Sequence, residues 1–195
     1  LRKKSFKSFI NSGLPTKKWE NWQFTNFSNI ENQNFRLPHS KNITKIPDIL
    51  PGRIPNTYLA LIINGFYQAE LSNLPDDVKI SFGDDHFKLS SEYYSSENMR
   101  NDWKNSLNPF YMLNTSMMNS GITIHLKKNT ILSKPIQIIY LTASNTDKIM
   151  NHPRFIFNVG DNSEMTLIEH YISSNSTSYF NNTVTNVGLG KNSFL

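Results

Sequence analysis

The chain has 195 residues and a mass of 22.5 kDa, enough for one domain or a small pair with a buried core. Its net charge is +5, but the basic residues form short pairs and no stripe between stacking aromatics, which argues against a nucleic-acid partner. Cysteine is absent, which excludes disulfides and thiolate-ligated metal sites. No apolar run approaches the roughly 20 residues of a membrane helix, and the first ten residues lack a signal-peptide core. We therefore expect a cytoplasmic protein without a membrane partner.

The N-terminal part predicts one short helix and a linker. Breakers at residues 12–15 precede a segment in which Trp19, Trp22 and Phe27 are spaced to share one face. We interpret the two tryptophans as core residues and not as a ligand-stacking platform. Four prolines within residues 35–55 predict a linker with little ordered structure.

The middle of the chain predicts a β-hairpin and two helices. Asn64-Gly65 separates two apolar runs at residues 58–63 and 66–71, and both central residues of a type I′ turn need a positive φ. Residues 73–105 indicate turns and a short polar helix, and we interpret Asp84-Asp85-His86 as a solvated loop and not as a metal site. A second helix is predicted over residues 109–119, with Phe110, Leu113 and Met117 on one side.

After Gly121 the sequence predicts short alternating strands, at residues 122–126, 136–141, 155–159, 165–172 and 183–189. Three similar turns contain Asn129, Asn162 and Asn192, which lie 33 and 30 residues apart. A recurrence near 30 residues favours a parallel β-helix over a β-sandwich. Because such a stack needs about three coils and a cap, we expect this chain to be truncated at its C-terminal end.

The histidines and carboxylates do not predict an active site. His125 lies at an outward strand position, His152 in a turn and His170 near a strand end, and no two histidines have a ligand spacing. Glu169 and His170 could form an acid/base pair, but neighbouring strand residues point to opposite faces. Phosphate-binding loops, nucleophile elbows and zinc motifs are absent as well. We therefore predict no catalytic, cofactor-binding or metal-binding residue and no enzymatic activity.

Seven stretches carry a family resemblance, namely residues 13–25, 63–67, 109–114 with the strand after Gly121, 134–136, 152–154, 160–163 and 167–171. Together they resemble the SufB/SufD family of iron–sulfur cluster assembly proteins, and its SufD branch more than its SufB branch. The chain departs mildly from the family pattern at three places. It has Gln23-Phe24 where the family usually has a basic residue followed by Tyr, and it has Asn64 and Ser120 where the family usually has Asp.

The resemblance implies an N-terminal region of short helices and a hairpin, residues 1–120, followed by the first coils of a right-handed parallel β-helix, residues 121–195. It also implies a non-catalytic scaffold subunit that pairs with a SufB-like sister subunit and a SufC-like ATPase, in the cytoplasm or, in a eukaryote, in the plastid. An iron–sulfur cluster would be held only transiently by the intact complex. Family chains are about twice this length, so this fragment is expected to bind no cofactor itself.

A second hypothesis is a secreted β-helical protein that binds or cleaves carbohydrate. It would need a secretion signal and a row of aromatic or carboxylate side chains on one face, and neither is seen in the sequence. A basic nucleic-acid binder is the third alternative, which a strong salt dependence of binding would reveal.

Overall fold

The structure is a computed structural model, and it describes residues 2–38, 50–95, 108–143, 148–174 and 178–195. The helices of these residues are α1 (Arg2–Ser12), α2 (Ser28–Glu31), α3 (Gly83–Ser95) and α4 (Pro109–Met117), with short 3-10 turns at Glu20–Trp22 and Ala69–Leu71. The strands are β1 (Tyr58–Ile63), β2 (Phe66–Tyr67), β3 (Val78–Phe82), β4 (Ser120–Leu126), β5 (Ile136–Thr142), β6 (Ile149–Asn151), β7 (Pro153–Val159), β8 (Leu167–Ser173), β9 (Tyr179–Asn181) and β10 (Val184–Leu189). In this part of the chain no helix is long and apolar enough to cross a membrane.

The strands form three sheets with mostly parallel pairing. The strand orders are β2-β1-β5-β8, β10-β7-β4-β3 and β6-β9. The pairs β1–β2 and β3–β4 are antiparallel, and the other five named pairs of the described strands are parallel. The described residues therefore form a mixed α/β fold with mostly parallel sheets and few helices.

The main core lies between the two larger sheets. Its residues occupy alternate strand positions, and they include Ile122, Ile124, Ile138, Phe155 and Phe157. A second apolar cluster covers the other face of β1 and β5, so these two strands are buried on both faces. Burial on both faces explains why the sequences of β1 and β5 are nearly continuous apolar runs, as parallel strands require.

The three predicted asparagine turns are confirmed. Asn129, Asn162 and Asn192 have φ values of 59°, 52° and 52°. Their side chains form a ladder, because Asn162 Nδ2 donates to Asn129 Oδ1 at 3.1 Å and Asn192 Nδ2 donates to Asn162 Oδ1 at 3.2 Å. Asparagine suits both requirements, since it tolerates positive φ and its amide can donate and accept at once.

The hairpin is also confirmed, with φ values of 49° at Asn64 and 92° at Gly65. Its second arm is shorter than predicted, because the chain turns into the 3-10 helix at Ala69–Leu71 after two paired residues. The Asn64 side chain donates to the Ala143 carbonyl oxygen at 2.6 Å and accepts from the Ala143 amide at 2.8 Å. The turn is thus fastened to the end of β5.

The N-terminal part contains a helix that the sequence pattern does not indicate. Helix α1 packs on α4, with Ser5 buried and Ser8 and Phe9 half-buried, and its other side chains are exposed. Gly13, at a φ of 66°, ends α1 and donates its amide to the Phe9 carbonyl oxygen at 2.7 Å. The shared aromatic face is confirmed for Trp22 and Phe27, whose ring centroids lie 5.2 Å apart.

Of the range 73–105, residues 96–105 lie outside the described residues; within 73–95 the predicted short polar helix is confirmed as α3, but the prediction is wrong in two respects. Residues Val78–Phe82 form β3, and Asp84-Asp85-His86 begins helix α3 and is not a loop. The two aspartates are exposed in the first turn, where the helix dipole favours negative charge, whereas His86 is fully buried against β4. The helix at residues 109–119 is confirmed as α4, for which the side chain of Asn108 provides the N-cap.

The predicted division at residue 120 stays a prediction. Strand β1 lies before that point and pairs in parallel with β5, which lies after it. Most of the linker predicted over residues 35–55 falls outside the described residues.

Candidate functional site

A cluster of buried polar side chains lies where helices α3 and α4 cover the starts of strands β4 and β7. We call this cluster the polar seam, and its members are His86, Asn114, Thr115, Thr123, His152, Arg154 and Asn182. Each of them is less than one tenth exposed. Buried polar groups are costly unless they are hydrogen-bonded, so the contacts of the seam decide what it can do.

Arg154 on β7 is the charged residue of the seam and is fully buried. Its Nη2 donates to Thr115 Oγ1 at 2.7 Å, and its guanidinium carbon lies 4.9 Å from the centre of the Tyr111 ring. A weaker contact of 3.5 Å joins Nη1 to Asn186 Oδ1 on β10. Both Thr115 and Tyr111 belong to α4, so Arg154 links this helix to the sheet.

Gly121 on β4 gives the backbone of β7 room beside it. Its φ is 145°, and a Cβ atom at this position would lie 1.9 Å from the Arg154 carbonyl oxygen. A side chain is therefore excluded where the two strands begin.

The two histidines of the seam are buried and neutral at pH 7. His86 Nδ1 lies 3.0 Å from Thr123 Oγ1, and its Nε2 lies 3.3 Å from Ser90 Oγ. Burial, reinforced by the positive charge of Arg154, lowers the pKa of His86 to about 4. Burial alone lowers the pKa of His152 to about 4. Neither ring carries the proton that a general acid must donate at neutral pH.

Two asparagines complete the seam. Asn114 on α4 donates through Nδ2 to the carbonyl oxygens of Pro153 at 2.9 Å and Asn182 at 2.6 Å. Asn182 in turn donates to the Phe110 carbonyl oxygen at 2.9 Å and to His152 Nδ1 at 3.2 Å. The Asn182 amide fixes the tautomer of the neutral His152 ring, because Nδ1 must be unprotonated to accept its hydrogen bond. These contacts position α4 against β7 and the start of β10.

Glu169 and His170 do not contact each other as an acid/base pair. Their neighbouring positions on β8 predict this, because successive strand residues point to opposite faces. Glu169 Oε2 accepts from the Tyr171 hydroxyl at 2.6 Å and Oε1 from the Thr185 hydroxyl at 2.9 Å. His170 points to the other face, where its Nδ1 lies 3.2 Å from the Gly52 carbonyl oxygen. Burial raises the pKa of the Tyr171 hydroxyl above its usual range, and the hydrogen bond to Glu169 is the next largest cause of this shift.

The remaining histidine positions also bear on the sequence predictions. His125 is exposed at an outward position of β4, as predicted. The sequence predicts His152 in a turn, but it is the single residue between β6 and β7, is not part of a turn, and is completely buried. In the ranges that the structure describes, no three His, Asp or Glu side chains are grouped so that they could hold a metal ion.

Sequence reasoning did not identify Arg154 or Asn114 as buried polar residues. Their burial depends on α4 covering the sheet, which is a tertiary contact without a local signal. One signal was available in the alternation of β7, because Arg154 shares a face with Ile156, which is also buried.

Comparison with known proteins places the chain in a family. Residues 1–138 match the family described as the SufBD protein N-terminal region. Over 190 residues the chain is 30% identical to an iron–sulfur cluster assembly SufBD family protein of Synechocystis sp., with 92% of this chain and 42% of the relative covered.

Two further relatives carry the name iron–sulfur cluster assembly protein SufD. The protein of Escherichia coli is 23% identical over 95% of this chain and 42% of its own length. The protein of Bacillus subtilis is 25% identical over 79% of this chain and 36% of its own length. The chain thus spans less than half the length of these relatives. Because the family match covers well over half of its residues, the chain belongs to the SufBD family.

Proposed function

We propose that the chain acts in iron–sulfur cluster assembly as part of a SufD-like scaffold subunit. The observation that carries the proposal is the family match over residues 1–138, together with three relatives that are named for this process. In this proposal the subunit is non-catalytic and works in the cytoplasm, or in the plastid of a eukaryote. Its partners are a SufB-like sister subunit and a SufC-like ATPase, and the iron–sulfur cluster is the cargo of the whole complex.

The proposal includes a right-handed parallel β-helix, of which the described strands form the first coils. Three successions of parallel strands support it, namely β1-β5-β8, β4-β7-β10 and β6-β9. The asparagine ladder supports it too, because its hydrogen bonds join turns that are 33 and 30 residues apart. Right-handed connections are expected, since crossovers between parallel strands have this hand in about 98% of cases.

A scaffold role fits the packing of the described strands. Strands β1 and β5 are apolar on both faces, and the helix α4 is fixed to β7 by Arg154 and Asn114. Such packing supports a rigid body that holds partner subunits in a fixed relation.

Co-purification tests the proposal. The protein that carries this chain, at whatever length its gene encodes, is co-expressed with the SufB and SufC homologues of the same organism, with the tag on the SufC homologue. We expect the three proteins to co-purify, and we expect the protein to restore iron–sulfur enzyme activity in a SufD-deficient bacterium. A control expression without the SufB homologue identifies contacts that do not need the sister subunit.

Two results would contradict the proposal. One is the absence of both co-purification and rescue although the protein is soluble and folded. The other is saturable binding of an oligosaccharide by the purified protein, which would favour the carbohydrate hypothesis.

A further inference from the structure

A groove of about 350 Å³ lies on the outer face of strands β3, β4 and β7, beside helix α3. Six of its lining residues form two rows of register partners across the three strands, which are Lys79–His125–Asn158 and Ser81–Thr123–Ile156. We call it the β4 groove and define it by these six residues together with Leu89 of α3.

The spacing of the rows lets one small ligand reach both of them. Neighbouring strands lie about 4.8 Å apart, and residues two positions apart on a strand are separated by roughly 7 Å. A ligand about 7 Å long can therefore contact Lys79 and His125 in the first row and Ser81 in the second.

The charge of the groove is positive. Lys79 and His125 are both exposed at its rim, and the lining residues that the structure describes include no Asp or Glu. Asp77, two residues before Lys79, already forms an ion pair with Lys127 at 3.4 Å. Arg154 lies on the same face of β7 as Ile156, two residues before it, and adds a positive charge beside the second row.

The polar lining offers mainly donors. An ammonium group, an imidazole N–H, a hydroxyl and an amide can all donate, and the side chains of Lys79, Ser81 and Asn158 make no hydrogen bond to another described residue. The Thr123 hydroxyl is held by His86 at 3.0 Å. Ile156 and Leu89 provide an apolar wall.

We propose that the β4 groove binds a small organic oxyanion, a phosphate or a carboxylate compound. The charged group contacts Lys79 and His125, and the apolar part packs on Ile156 and Leu89. A volume of about 350 Å³ falls at the lower end of the range for small-molecule sites. This site goes beyond the proposed scaffold function and does not depend on it.

Ligand-observed saturation-transfer NMR tests the site on the protein that carries this chain, alone or in its complex. The probes are phenyl phosphate and benzoate, with benzyl alcohol as the uncharged analogue and inorganic phosphate as the competitor. We expect a saturable signal from at least one of the two anions, no matching signal from benzyl alcohol, and displacement of the bound anion by phosphate. A response to phenyl phosphate alone identifies a phosphate ligand, and a response to benzoate alone identifies a carboxylate.

Paired variants locate the binding. Lys79→Gln and His125→Gln are exposed substitutions, and each should weaken the affinity about tenfold, as expected for the loss of one charge-assisted hydrogen bond. Lys128→Gln removes the same charge from an exposed position outside the groove and should leave the affinity unchanged.

The site is refuted if neither anion gives a signal at about 10 mM, if benzyl alcohol binds equally well, or if the Lys79→Gln, His125→Gln double variant binds like the wild type. Displacement by phosphate is measured on the wild type, so an unstable variant leaves that test intact.

Discussion

At the scale of single residues, Asn64 shows why an amide and not a carboxylate occupies the hairpin turn. Its backbone takes a positive φ, and its side chain both donates to and accepts from Ala143. An aspartate could accept from the Ala143 amide, but it could not donate to the carbonyl oxygen. It would also place a negative charge in a site that is almost fully buried.

We predict that Asn64→Asp lowers the free energy of unfolding by about 2 kcal/mol, because the Ala143 carbonyl loses its donor. Urea denaturation monitored by tryptophan fluorescence measures the loss. Asn56→Asp is the matched control, since Asn56 also has a positive φ of 59° but is exposed. Equal losses in the two variants would mean that backbone conformation, and not the Ala143 contact, decides the effect.

The two buried histidines predict a stability that falls in acid. Burial lowers the pKa of His86 and His152 from 6.5 to about 4, so between these values only the unfolded chain takes up the protons. Their stabilising contribution is therefore complete above pH 6.5 and is lost as the pH falls toward 4. At about pH 5 the expected loss of unfolding free energy is roughly 2 kcal/mol for each histidine.

Urea denaturation at pH 7 and pH 5 checks this prediction. His86→Gln and His152→Gln should each reduce the difference in unfolding free energy between the two pH values. His125→Gln is the control, because its side chain is exposed, and it should leave the difference unchanged. A difference that stays the same in all three variants would assign the acid sensitivity to other groups.

The sequence predicts outward and inward positions within strands better than it predicts the burial of polar residues. Alternation correctly separates Glu169 from His170 and places His125 outward. It does not reveal that His86 and Arg154 are buried. His86 is buried because α3 packs on β4, and Arg154 is buried because α4 covers β7. Burial of a side chain by another helix or strand depends on contacts between residues far apart in sequence, which a local sequence pattern cannot predict.

At the scale of elements, the asparagine ladder joins the turns of successive strand layers. Asn162 is its central rung, since it donates to Asn129 and accepts from Asn192. The backbones are paired at the same points, with the Asn129 amide donating to the Asp161 carbonyl oxygen at 2.8 Å and the Asn162 amide to that of Lys191 at 2.8 Å. Side chains and backbone therefore fix the same register.

Two substitutions of Asn162 separate the ladder from the backbone requirement. Asn162→Gly keeps access to positive φ and removes both side-chain hydrogen bonds, and we expect a loss of about 1 kcal/mol in unfolding free energy. Asn162→Ala also forces an alanine into positive φ, so we expect it to lose about 1 kcal/mol more unfolding free energy than Asn162→Gly. Chemical denaturation measures both, and Asn192→Gly, which removes one rung, should cost less than Asn162→Gly. Equal stabilities of wild type and Asn162→Gly would show that the ladder contributes nothing.

Elements with a strong local signal are predicted well, and those that depend on packing are not. The Asn64-Gly65 hairpin, the Asn108-capped α4 and the turns at the ladder all carry residues that suit one backbone conformation. Helix α1 carries no such pattern, because its buried residue is Ser5 while its apolar Phe6 and Ile10 side chains are exposed. Strand β3 is short and polar on one side, and its pairing with β4 defines it.

At the scale of the whole molecule, β8 and β10 are edge strands of the two larger sheets as described. Val187 and Leu189 on β10 are 43% and 55% exposed, although their register partners Phe157 and Val159 belong to the core. Unpaired backbone groups beside exposed apolar side chains favour pairing with another chain. The main core is therefore open at this edge of the described strands.

We predict that the 195-residue chain, expressed by itself, self-associates through β8 and β10. Sedimentation velocity over a wide concentration range should show species larger than a monomer. The double variant Val187→Lys, Leu189→Lys should shift the distribution toward monomer, since charges on an edge strand oppose pairing. Ile131→Lys introduces a lysine at a site that is 73% exposed and outside these strands, and it should have little effect. A monomeric wild-type chain at every concentration would refute the prediction.

Family membership and the recurring turns could both be predicted from the sequence, because they depend on residue order along nearly the whole chain. The matched region at residues 1–138 includes most of the motifs that carry the resemblance. The polar seam could not be predicted, since it forms only where α3 and α4 meet two strands distant in sequence.

The spacing of the ladder asparagines, 33 and 30 residues, also constrains how the length of such a chain can change in evolution. One residue inserted within β7 would turn Phe155 and Phe157 from the inner to the outer face and break their pairing with β4. Inserting a whole repeat of about 30 residues that ends in the same turn would add one more asparagine to the ladder and keep the inward and outward alternation of every existing strand. In the proposed β-helix, insertions and deletions within the stacked strands should therefore come in whole repeats of about 30 residues.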